Sequence, residues 1–170
     1  MIDRRHAIRL ALSLAAAPAA ALLSSAVAHA QAFQRYTAFL VDLQGWKGGT
    51  PDGMAMEIPG NRMITATREY ERGDARLSAQ IIIGPMAQGA LASLGQPMKI
   101  ETREGRMYTA AIDGFQTMTT FTVANKSGAI IVGLGPAALF NLTFNGVAED
   151  EALALARRFN WKAMQAALPK

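Results

Sequence analysis

Apolar and polar positions alternate in short runs over residues 54–83, and residues that favour turns separate the runs. "MAMEI" (54–58), "RMITATREY" (62–70) and "ARLSAQIII" (75–83) are rich in β-branched and aromatic side chains with partial two-residue alternation. With "PGN" and "ERGD" between them, they predict three consecutive strands. The period changes at "PMAQGALASLG" (85–95), where Met86, Ala90, Leu91 and Leu94 recur at helical spacing. Pro85 suits a first helical position and Gly95 an end, so one short helix is expected there. "MKIETREGRMYTAAIDGFQTMTTFTVANKSGAIIVGL" returns to the strand pattern and predicts three or four more strands, with Asp113-Gly114 as the strongest hairpin signal. "EDEALALARRFNWKAMQAAL" (149–168) predicts a terminal helix. Glu149, Asp150 and Glu151 favour its N-terminal end, Leu153, Leu155, Phe159, Met164 and Leu168 supply apolar contacts, and Phe159 to Trp161 marks where it can bend in two.

The fold class that follows is α+β: an antiparallel sheet of about six strands with one short internal helix and a C-terminal helix. This order over residues 33–168 resembles the small exported domains of the PsbP/Mog1/DcrB-like group, in which helices sandwich a sheet. The phrases "LQGWKGG", "TATREYERGDARLSAQI" and "EDEALALARRFNWKA" are similar to uncharacterised exported bacterial proteins of comparable length. The resemblance implies a compact exported module and carries over no catalytic residue.

The N-terminus has a different pattern. Arg4, Arg5 and Arg9 precede the alanine-rich run "LALSLAAAPAAALLSSAVAHA", which closes on the small-x-small signature Ala28-His29-Ala30. Residues 1–30 therefore read as a cleaved signal peptide, with Pro18 and the serines arguing against a membrane anchor. The adjacent arginines also resemble a twin-arginine signal. Residues 31–170 are then expected to be a single globular domain, soluble in the periplasm or secreted. Removing Arg4, Arg5, Arg9 and Asp3 with the signal leaves 14 basic against 12 acidic residues and no basic run, which argues against nucleic acid as a partner.

His6 and His29, the two histidines, both fall in the signal, and the chain has no cysteine. A domain without imidazole or thiol has no Ser-His-Asp or Cys-His nucleophile, no His/Cys zinc site and no disulfide. Ser78, Ser93 and Ser127 lie outside any Gly-x-Ser-x-Gly motif. "AIIVGLGPAALF" contains Gly133-x-Gly135-x-x-Ala138, the outline of a dinucleotide-binding turn. The following "LFNLTFNG" reads as a strand or irregular edge rather than a helix, and no second βαβ unit precedes it, so a plain strand reversal is the better reading. Glu69, Glu71 and Asp74, interleaved with Arg68, Arg72 and Arg76, read as a charge-balanced hairpin tip rather than a carboxylate pair.

Two binding sites remain as candidates. Trp46, in a loop containing Gly45, Gly48, Gly49, Pro51 and Gly53, could stack on a sugar or other ring ligand with Tyr70 or Tyr108 completing the platform, or fold back as a plug over the core, while an exposed patch of Trp46 and Phe115 would favour a protein partner. Met54, Met56 and Met63 fall on one face of a hairpin if "PGN" reverses the chain, and three thioethers suit Cu(I), although Met also fills cores. The expected function is a non-enzymatic exported module binding a small ligand or a periplasmic protein without a cofactor. The alternative is a Cu(I)-handling protein.

Overall fold

Turn residues with left-handed backbone set where the chain reverses. Gly60 (φ 80°), Gly73 (φ 59°) and the Asp113–Gly114 pair (φ 51° and 85°) adopt conformations open mainly to glycine and, less often, to Asp or Asn. Between such turns, alternate residues bury one side of each strand. In Ala75–Ile83, for example, Ala75, Leu77, Ala79, Ile81 and Ile83 are buried while Arg76 is exposed. The computed structural model describes residues 32–169; the signal peptide expected over residues 1–30 lies outside the described residues.

The strands are β1 (Lys47–Gly48), β2 (Asp52–Ile58), β3 (Asn61–Arg72), β4 (Ala75–Ile83), β5 (Lys99–Glu101), β6 (Gly105–Ile112), β7 (Phe115–Thr122), β8 (Ser127–Gly135) and β9 (Ala138–Asn145). They form one antiparallel sheet in the order β1-β3-β4-β9-β8-β7-β6-β5, with β2 pairing along the same edge of β3 as β1. The helices are α1 (32–37), α2 (Pro85–Leu94), α3 (Glu149–Ala156) and α4 (Trp161–Ala166). None among the described residues is long and apolar enough to cross a membrane.

The two faces of the sheet are covered unequally. One face carries Ile64, Ala66, Tyr70, Leu77, Ile81, Ile130, Val132, Phe140 and Leu142, all buried in a single core with residues of α1, α3 and α4. On the other face α2 spans the link from β4 to β5. A Cβ on Gly133 would lie 3.1 Å from Leu91 and 3.4 Å from Leu94, so the bare backbone there makes room for the helix. On the core face, Phe121 and Phe144 stack at 6.3 Å across Gly128, where a Cβ would meet the Phe144 ring at 2.8 Å.

An aromatic row runs across the middle of the core face. Tyr70 meets Phe159 edge-on at 6.2 Å, Phe159 lies 4.9 Å from Phe140, Phe140 lies 6.5 Å from Trp161, and Trp161 meets Phe115 edge-on at 5.8 Å. Phe159 sits in the break between α3 and α4, so turning its ring inward forces the helix to stop. Asn160 restarts it, its side-chain oxygen accepting a hydrogen bond from the Ala163 amide at 3.0 Å.

The sheet is larger than the six strands read from the pattern. β1 and β5, two and three residues long, are too short for alternation to register, and β9 is a full central strand buried from both sides at its start. The helical content also exceeds one internal and one terminal helix, because α1 precedes the sheet; the terminal helix divides at Phe159 to Trp161, as its sequence suggests.

Phe159 is 2% exposed and joins Phe140 to Tyr70. Phe159→Ala is expected to lower the unfolding free energy by about 3–5 kcal/mol, read from urea denaturation.

Candidate functional site

The corner between α3 and α4 sorts its residues by chemistry. Phe159 and Trp161 turn into the core, while Arg157, Arg158, Asn160 and Lys162 stay exposed. Opposite them, the β6–β7 turn brings up Asp113 and Phe115. These groups line an open cleft of about 450 Å³. Its apolar wall is built from Phe115, 9% exposed, and Trp161, 4% exposed.

Three cations stand around that wall. Arg157 Nε lies 3.5 Å from Asp113 Oδ2, with both side chains more than half exposed, so this pair holds the guanidinium only weakly. Arg158 and Lys162 make no ion pair with any of the described residues. The cleft thus combines a small apolar wall, formed where Phe115 and Trp161 meet edge-on, with a surplus of positive charge, an arrangement that attracts an anion carried on an apolar group.

A second cleft of about 330 Å³ is lined by Met98, Lys99, Ile100, Glu101, Arg106, Tyr108 and Thr109. Its polar groups are already engaged. Glu149, 5% exposed at the start of α3, is paired with Arg106 and accepts a hydrogen bond from the Tyr108 hydroxyl at 2.9 Å. Burial, followed by the bond to Glu149, raises the Tyr108 pKa. This cluster ties α3 to β6 and leaves little for a ligand.

The four aromatic residues singled out in the sequence do not meet in one platform. Trp46 is 8% exposed and closes over the core, with the Arg72 guanidinium 4.3 Å from its ring centre and Arg72 held in turn by Glu151 at 2.6 Å. The glycine-rich loop around it is pinned rather than free to act as a lid. Arg68 donates to the carbonyls of Leu40 (2.7 Å) and Gly49 (2.8 Å) and also pairs with Asp42. Tyr70 is fully buried and donates its hydroxyl to the Val41 carbonyl at 2.8 Å. Trp46 and Tyr70 lie at the β1–β3 side of the sheet, and Tyr108 and Phe115 at the β6–β7 side. Phe115 alone among the four borders the cationic cleft. An exposed patch containing Trp46 and Phe115, which would have pointed to a protein partner, does not form.

The methionines do come together. The β2–β3 register sets Met56 directly opposite Met63, with Met54 two residues along on the same face and opposite Thr65. Met54 is 48% and Met56 43% exposed. Among the described residues no cluster of three His, Cys, Asp or Glu could hold a metal ion.

Gly133, Gly135 and Ala138 lie at the antiparallel β8–β9 reversal, where Gly135 pairs with Ala138, so no helix follows to receive a pyrophosphate. Glu69 accepts a hydrogen bond from Ser78 at 2.6 Å, and Glu71 lies 3.4 Å from Arg76, as befits a charge-balanced hairpin. Sequence reasoning missed Arg157, Arg158, Trp161 and Lys162. Their signal is "RRFNWK", in which cations and aromatics interleave at a helix break.

No protein-family model, curated protein or solved structure matches the chain.

The Tyr70 pKa is pushed up to about 12, chiefly by burial. The folded protein therefore holds this proton more tightly than the unfolded chain does, so Tyr70's contribution is complete below pH 10 and lost as pH rises from 10 toward 12. Unfolding free energy measured against pH should fall over that interval, and Tyr70→Phe should make the fall shallower.

Proposed function

We infer that the chain acts, after export, as a binding module that receives a small anionic ligand with a flat apolar portion, and does not catalyse a reaction on it. The observation that carries this reading is the convergence of Arg157, Arg158 and Lys162 on the Phe115–Trp161 wall, in a cleft of about 450 Å³. A carboxylate or phosphate would take charge-assisted hydrogen bonds from Arg158 and Lys162, and the flat part of the ligand would lie against the aromatic wall. Arg157, weakly held by Asp113, can swing toward the same anion. The N-terminal export pattern supports a periplasmic or secreted setting, and the missing imidazole and thiol favour binding over chemistry.

The cleft's position suits the role. Its wall is anchored through the aromatic row to Phe140 in the centre of the sheet, so the apolar surface is preorganised. The cations stand on exposed backbone at a helix break, where side chains can adjust to the anion.

The test is calorimetric titration with phenyl phosphate, set beside inorganic phosphate and uncharged phenol. Phenyl phosphate should bind saturably and more tightly than either fragment, and the affinity should fall with added salt. Arg158→Ala and Lys162→Ala should each weaken it about tenfold, the effect of losing one charge-assisted contact of about 1.4 kcal/mol, while Arg76→Ala leaves it unchanged. Equal affinity for phenyl phosphate in all three variants would remove the proposal.

A further inference from the structure

A different surface carries an inference of its own. Three of the six large apolar side chains exposed among the described residues are methionines: Met54, Met56 and Met86. Met54 and Met56 lie together with Met63. Cross-strand partners share a face, so Met54 and Met56 of β2 and Met63 of β3 lie on the side of the sheet opposite the main core. The same side carries α2, whose leading residue Gly84 passes so close to β3 that a Cβ there would be 3.2 Å from Met63 Cα. Met86, 66% exposed, follows Gly84 by two residues.

Ordinary core packing does not account for these side chains. On the neighbouring position of the same strand, Ala55 packs against the core, while Met54 and Met56 remain nearly half exposed. A long thioether held at a surface gains little from burial and costs free energy in water, so two exposed thioethers beside a half-buried third on one hairpin face call for a partner of matching chemistry. The thioether sulfur is soft, carries no proton to lose and binds soft monovalent ions in preference to Zn²⁺, Ca²⁺ or Mg²⁺.

The backbone geometry suits convergence. Residues two apart on a strand lie roughly 7 Å from each other, and directly opposed residues roughly 5 Å, both within reach of two flexible methionine arms. The β2–β3 hairpin is held rigidly by seven paired positions from Asp52–Thr67 to Ile58–Asn61, so the three Cα positions are fixed while the sulfurs are free to close on an ion. Among the described residues β2 has no strand on its outer side, which leaves the patch open to approach from the sheet margin.

We propose that Met54, Met56 and Met63 form a three-thioether site for a soft monovalent cation of the Cu(I) class. Binding is reversible coordination of an ion already in the +1 state and entails no redox step. It is independent of the cationic cleft, which lies on the opposite face of the sheet.

Ag(I), a redox-inert stand-in for Cu(I), is the probe, and the methionine methyl resonances are the readout in protein labelled at the methionine methyl carbon. One equivalent of Ag(I) should move the signals of Met54, Met56 and Met63, each assigned through its Leu variant. In competition with a chromophoric chelator of Ag(I), the triple Leu variant should lose at least tenfold in affinity. Leu preserves side-chain volume, and the single variants Met54→Leu and Met56→Leu replace exposed residues, so each keeps the fold and reports on its own sulfur. Met118→Leu, on the same sheet face but four strands away, should bind as the parent does. Undiminished affinity in the triple variant, or an equal loss in Met118→Leu, overturns the proposal.

Discussion

The packing of Phe159 against Phe140, ring centres 4.9 Å apart, is the contact on which the rest of the architecture depends. Phe140 stands on β9, the strand that joins β4 to β8 and so makes one sheet of two meanders. Phe159 stands in the break between α3 and α4. Their contact therefore docks the C-terminal segment at the middle of the sheet and fixes how far α3 can continue. Aromatic rings bury large areas with few rotatable bonds, which makes such a contact both strong and geometrically restrictive.

The cleft follows from the same constraint. Once Phe159 and Trp161 point inward, the intervening and flanking positions must point outward, and the sequence places Arg157, Arg158 and Lys162 there. Trp161 in turn meets Phe115 edge-on, so the wall is part of the core and the cations are part of the surface. A rigid apolar floor and adjustable charges are the division of labour expected of a small-ligand site. The opposite sheet face holds the methionine hairpin, where the register of β2 on β3 creates the grouping and the packing of α2 bounds it.

Much of the fold was legible in the sequence because period and turn chemistry agree there. The Asp113-Gly114 hairpin, the reversal at Pro59-Gly60 and the strand at 75–83 all combine alternation with a residue suited to the required turn. The opposition of Met56 and Met63 follows from that reversal. β1 and β5 were not legible, since two or three residues carry no period, and their pairing is decided by neighbours distant in the chain. The cleft was obscured for a similar reason. "RRFNWK" marks a bend in the sequence, but only the demand of the sheet for the Phe159 ring shows how cation and aromatic separate there. Trp46 was ambiguous between lid and plug because its fate rests on Arg68 and Arg72, which hold the loop and the indole from another strand.

The central claim is that the Phe115–Trp161 wall and its cations receive an anion borne on a flat apolar group. The two tryptophans, Trp46 and Trp161, provide the most direct measurement, because their indole N–H signals report separately on the two sides of the core. On titration of ¹⁵N-labelled protein with phenyl phosphate, the Trp161 signal should shift and saturate while the Trp46 signal stays fixed. Two stationary signals, or equal displacement of both, would contradict the account.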